Sequence, residues 1–280
     1  MHRFAAVALA GSLVAAPATA GWTFTMKTSN SGSPHAEMAD SVTRVALEGG
    51  NAKVEFLETR NPMFGKGTYL LMHEQKLYVV EPDKKTYALF DLEAMSNSLA
   101  SAMSPGGTGM KLTYDDVKVE KLLEEPGGAI AGYSTTHYKF HTSFKQTMSM
   151  GPMTIASLVD TVEDSWTTTA ISFGEAGSMV SSFGGTQLGK EIQKLIDAQK
   201  GKMTGVPLKR ISVTKVENQG TGVMAALLNK ANGEGPTTTT MEVTELSESA
   251  IPAATFAIPA GYSETQLMYR MPGAPDKRHP

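Results

Sequence analysis

Val42-Thr43-Arg44-Val45-Ala46-Leu47-Glu48-Gly49-Gly50-Asn51-Ala52-Lys53-Val54-Glu55-Phe56-Leu57 is the stretch that decides the fold. Two apolar-rich runs, Val42 to Leu47 and Ala52 to Leu57, flank Gly49-Gly50-Asn51, the composition of a tight hairpin turn. In the second run Val54 and Phe56 face one way and Lys53 and Glu55 the other. That period of two marks a half-buried strand. The pattern spreads outward in both directions. Upstream, Trp22, Phe24 and Met26 alternate with Thr23, Thr25 and Lys27, and a polar loop is expected over Ser29 to Ala39. Downstream, Tyr69 to Met72 and Lys76 to Val80 read as a second hairpin. Glu81-Pro82-Asp83-Lys84-Lys85 then supplies turn chemistry before Thr86 to Phe90.

Further strands are expected at Lys111 to Leu123, Tyr133 to Phe144, Val159 to Ile171, Pro207 to Val216 and Thr238 to Leu246. Two helical patterns interrupt them. Asp91 can cap a helix that carries Leu92, Met95, Leu99 and Met103 on one face. Thr186 to Lys202 has the stripe Leu188, Ile192, Leu195 and Ile196, with Gly201 where a helix would end. Hairpin-length connections favour an antiparallel sheet with helices packed on one side, a β-rich α+β fold. One domain is expected over residues 21–269, followed by a disordered proline-containing tail, 270–280.

The chain opens with His2-Arg3, an apolar run from Phe4 to Ala16, and Ala18-Thr19-Ala20. This is the pattern of a cleavable export signal, residues 1–20, with the cut after Ala20. The run is too short to cross a bilayer core of ~30 Å, so the mature chain is expected to lack a transmembrane segment and to be periplasmic or secreted. There is no cysteine, which removes lipid attachment at the cut, thiol catalysis and thiolate metal sites. Charge is balanced, with 25 basic and 28 acidic residues. The basic stripe of a nucleic-acid binder is missing. Methionine is abundant, at 17 residues. It fills irregular cores and also lines adaptable apolar surfaces.

Candidate chemistry is sparse. His137 and His141 are four residues apart, but on a strand that spacing is ~13 Å, too far for one metal ion, so no metal or cofactor is expected. Asp115-Asp116 and Glu163-Asp164 are adjacent pairs, which a strand sends to opposite faces. Gly177-Ser178 lacks the flanking glycine of a nucleophile elbow, and Gly184-Gly185-Thr186 lacks the lysine and spacing of a phosphate loop.

Several phrases form a set: Tyr78-Val79-Val80 with Thr86-Tyr87, Ile130-Ala131-Gly132-Tyr133 with Tyr138, Trp166, the pattern from Thr186, Gly205-Val206-Pro207-Leu208-Lys209, and Phe256 to Tyr262. Together they resemble an exported bacterial family related to the periplasmic lipoprotein carriers and their outer-membrane receptors, the LolA/LolB-like group. The resemblance implies a curved antiparallel half-barrel whose concave face is covered by helices, with acyl chains between the two. It also implies no catalytic residues. Arg44 is nearest in position to the arginine that helps such carriers hold and release cargo.

The expectation is therefore a non-enzymatic periplasmic protein that binds a lipid, acyl chain or other apolar molecule. Leu92, Met95, Leu99, Met103, Leu188, Ile192, Leu195 and Ile196 would line its site. The alternative is an envelope scaffold or protein-interaction module with a solid core.

Overall fold

The computed structural model describes residues 20–34, 36–61, 64–74, 76–90, 110–150, 153–173, 198–199, 201–219 and 235–265. These build twelve strands: β1 Ala20–Ser31, β2 Ser41–Glu48, β3 Asn51–Thr59, β4 Tyr69–His73, β5 Lys76–Glu81, β6 Thr86–Leu89, β7 Met110–Ile130, β8 Tyr133–Met150, β9 Met153–Thr168, β10 Val206–Asn218, β11 Thr237–Ala250 and β12 Ser263–Glu264. All lie in one open sheet, ordered β12-β6-β5-β4-β3-β2-β1-β11-β10-β9-β8-β7. Pairing is antiparallel throughout except between β12 and β6.

The expected fold class needs correction. Among the described residues the protein is almost entirely β, and no helix lies across a concave face. Among the described residues only Ala198 and Gln199 are α-helical, just before Gly201 in the left-handed region (φ +74°). Gly201 and Lys202 form a turn, and the rest of both helical patterns, including all eight proposed lining residues, lies outside the described residues. The expected loop over Ser29 to Ala39 is also shorter, because β1 runs on to Ser31 and Ala36–Ala39 form a 3-10 turn.

Alternation places one set of side chains on what we call the Phe24 face. Phe24, Val45, Leu47, Val54, Leu70, Met72, Val79, Leu208 and Val243 form its buried cluster, with Trp22, Met26 and Phe173 packed against it. The opposite, Tyr69 face buries Ala46, Tyr69, Leu71 and Val80 beneath Ile251 and Phe256. That cover is a strap, not a helix. After β11 the chain passes as a 3-10 turn, Ala253–Phe256, over β3 and β4. It then runs on through Ile258 and Tyr262 to add β12 beside β6. Pro252 and Pro259 bracket the segment, and proline in a helix interior removes a hydrogen bond and clashes with the preceding turn.

β7 to β10 extend as a wing beyond this two-faced core. Trp22 of β1 stands 6.3 Å from Tyr133 at the start of β8, and Phe173 stacks on Phe24 at 4.9 Å. In a flat sheet four strand spacings of ~4.8 Å separate β1 from β8, so the sheet is not flat at this end.

Candidate functional site

The wing is two-sided, and its sides differ chemically. On the Tyr69 face the strands carry charge. The His137 ring stacks on Trp166 at 4.3 Å, and its nitrogens lie 2.8 Å from Asp164 and 3.4 Å from Glu125. Lys139 pairs with Asp164 at 3.4 Å, and Lys209 sits 5.6 Å from the centroid of Trp166. His141 bonds Asp160 at 2.7 Å. Each histidine is thus held by its own carboxylates and the two do not converge. Among the described residues no group of three metal-ligating side chains forms.

The Phe24 face of the wing is different. β8 contributes an aromatic column: Tyr138 and Phe140 are buried, and Phe144 meets Tyr114 of β7 edge-on at 5.4 Å. The neighbouring columns on β9 and β10 are polar. Thr161 and Thr214 share a hydrogen bond of 3.0 Å, and Ser157 donates to Asn218 at 2.7 Å. Arg210 stands opposite Ser165, and Glu163 opposite Ser212. Arg210 Nε lies 3.3 Å from Glu163 Oε1, and Ser212 donates to Glu163 at 3.2 Å. Tyr138 Oη exchanges a hydrogen bond with Thr204, whose carbonyl accepts from Thr167. Residues 201–205 therefore cross this face, and Lys202 donates to the carbonyl of Val119 on β7. At the border Lys121 hydrogen-bonds Glu124 and holds its carboxyl below the usual range.

The adjacent acids separate as alternation requires. Glu163 faces Arg210, whereas Asp164 faces His137 and Lys139 across the sheet. Asp116 sits at φ +54° within a bulge of β7. Gly177-Ser178 and Gly184-Gly185-Thr186 lie outside the described residues. Arg44 is exposed, and it alternates with Val45 and so belongs to the Tyr69 face, away from the aromatic column. The arginine on the Phe24 face of the wing is Arg210. Its pairing with Glu163 depends on the register of β9 against β10, which no local pattern carries. In the sequence, the signal of this surface is the alternation of Tyr138, Phe140 and Thr142 with His137, Lys139 and His141.

The outer edge of β7 is protected against strand addition. Three register shifts interrupt its pairing with β8, at Asp115/Lys118, Lys121/Leu123 and Pro126/Gly128. It also carries Lys118, Glu120, Lys121, Glu124, Glu125 and Pro126. Bulges, charge and proline are the usual means of blunting an edge.

No protein-family model matches the chain, and no curated protein matches it. Among the solved structures similar to it are two. One is the Mycobacterium tuberculosis lipoprotein LppX, with a TM-score of 0.28 and 9% identity, covering 82% of this chain and 87% of that one. The other is a LolA superfamily protein from Nitrosomonas europaea, with a TM-score of 0.25 and 12% identity, covering 86% and 91%. At such TM-scores the likeness carries no conclusion about this chain.

Proposed function

We propose that this is a non-enzymatic exported protein that holds an apolar or amphiphilic molecule against the Phe24 face of its wing. One observation carries the reading. A column of aromatic rings on β8 lies beside a column of hydroxyl and charged groups on β9 and β10, and both continue into an apolar core. Ligand sites are mostly apolar with a few placed polar groups, and this surface has that composition. Export follows from the signal-like residues 1–20, and the periplasm is the compartment proposed.

Native mass spectrometry of protein recovered from its own envelope fraction tests the binding. The expected result is a polypeptide beginning at Gly21 that carries added mass, which organic extraction removes. The extracted protein should then bind cis-parinaric acid, and Phe140→Asp should weaken that binding. Bare polypeptide mass together with no binding of the probe would defeat the proposal.

A further inference from the structure

Resting on that reading, we infer that the Arg210–Glu163 pair with Ser165 and Ser212 is a headgroup site that selects uncharged, hydroxyl-bearing amphiphiles over anionic ones. The four side chains occupy two adjacent rows on one face. Ser165 is opposite Arg210, Ser212 is opposite Glu163, and the ion pair runs diagonally between the rows. Cross-strand neighbours of this kind have Cβ atoms ~5 Å apart, so all four fit around one small polar group. The aromatic column is next to them: Tyr138 pairs with Ser165 and Phe140 with Glu163.

Two polar atoms here are unsatisfied. Ser165 is 0% exposed and its Oγ finds no hydrogen-bond partner among the described residues. Arg210 Nε is within ion-pair distance of Glu163, yet its N–H makes no hydrogen bond among the described residues. Buried polar groups are nearly always paired, and a pair left open costs free energy. The cluster is not sealed, because the side chains of Arg210 and Glu163 keep 29% and 19% exposure. The ion pair thus borders solvent while Ser165 Oγ and Arg210 Nε lie buried beneath it, so a polar group that enters between the side chains would find a hydroxyl, a guanidinium N–H and an accepting carboxylate.

Charge decides which head fits. Arg210 and Glu163 neutralise each other, so a hydroxyl that both donates and accepts satisfies the cluster without adding charge. An ionised carboxylate or phosphate would place an unmatched negative charge beside Glu163, and burying an unpaired charge is strongly unfavourable.

The test compares 1-monooleoylglycerol with oleate, which share one acyl chain, below their aggregation concentrations and at pH 8. The intact protein should bind the glycerol ester at least about tenfold more tightly. Glu163→Gln leaves Arg210 uncompensated and should shift the ratio toward oleate by about the same factor, whereas Arg210→Gln should shift it the other way. Damage to the fold would weaken both lipids alike, so opposite shifts report the site itself. Equal affinities that neither variant changes would overturn the headgroup assignment while leaving the proposed function standing. Failure of the intact protein to bind either lipid would overturn both.

Discussion

Phe256→Ala tests whether the C-terminal strap is part of the folded core or a loose wrapping. Phe256 is 2% exposed and packs with Ala46, Tyr69, Leu71, Val80 and Ile251. Truncating a buried phenylalanine to alanine costs about 3–5 kcal/mol, the lost burial plus the cavity that remains. Ile258 and Tyr262 still anchor the strap before it reaches β12, and collapse around the gap recovers part of the loss. The expected cost is therefore near the lower end, about 3 kcal/mol. Urea unfolding followed by tryptophan fluorescence measures it, since Trp22 packs against the core of the other face. The midpoint should fall with the slope unchanged, as for a loss of stability in one cooperative unit. A loss below about 1 kcal/mol, the size of an ordinary surface change, would refute the claim that the strap completes the Tyr69 face. A normal urea midpoint combined with rapid proteolysis between residues 252 and 262 would refute it too, by showing that the strap opens independently.

Gly205→Ala should destabilise by about 1–3 kcal/mol, because Gly205 has φ +88° and an added Cβ would sit 2.5 Å from the carbonyl oxygen of Thr168. Gly50→Ala meets nothing within 4 Å and should stay within about 0.5 kcal/mol of the parent; equal effects in thermal unfolding would contradict the geometry. Burial, then Tyr262 and Glu55, push the Tyr69 phenol up to about 12 from 10.0. The folded state therefore keeps a proton that the unfolded state releases, so this contribution is complete below pH 10.0 and disappears as the pH rises through about 12. Two pKa units set an upper bound of about 2.7 kcal/mol, lowered by solvent screening. Tyr69→Phe should flatten the alkaline limb of a stability–pH curve, and an unchanged limb would exclude the assignment. His137→Ala removes the Trp166 stack and two partly exposed carboxylate contacts. It should cost no more than about 1–2 kcal/mol, and a larger loss in urea unfolding would mean that the Tyr69 face of the wing is more than a solvated surface.

What the sequence disclosed was local. The β2–β3 and β4–β5 hairpins follow from alternation plus turn residues, and Glu48 does pair with Asn51 across Gly49-Gly50. The lengths of β7 to β9 did not follow. Each register shift in β7 places an extra residue on one strand, which reverses the parity of everything after it and breaks the period of two. The end of β1 was hidden for another reason. Ser29, Asn30 and Ser31 pair with Thr240, Thr239 and Thr238, so a polar run that reads as loop is a strand beside an equally polar one. The headgroup cluster was out of reach because Arg210 and Glu163 come from different strands, brought together by register and not by spacing.

The position of β1 ties the sheet to the order in which the chain is delivered. β1 lies between β2 and β11, so the first strand of the sequence is a central strand and one of the last is its neighbour. Trp22 and Phe24 reach their core partners Val243 and Leu246 only after residues 237–250 are in place. Until then β1 exposes a full row of backbone groups on one side, and the Phe24 face has no connection between the β2–β6 half and the wing. Pairing over so long a sequence separation is intrinsically slow. For the export signal proposed at residues 1–20, that slowness would be useful: a sheet that cannot close without its C-terminal strands stays unfolded while it is threaded. The same topology makes β1–β11 the step that joins the apolar core to the amphiphilic wing.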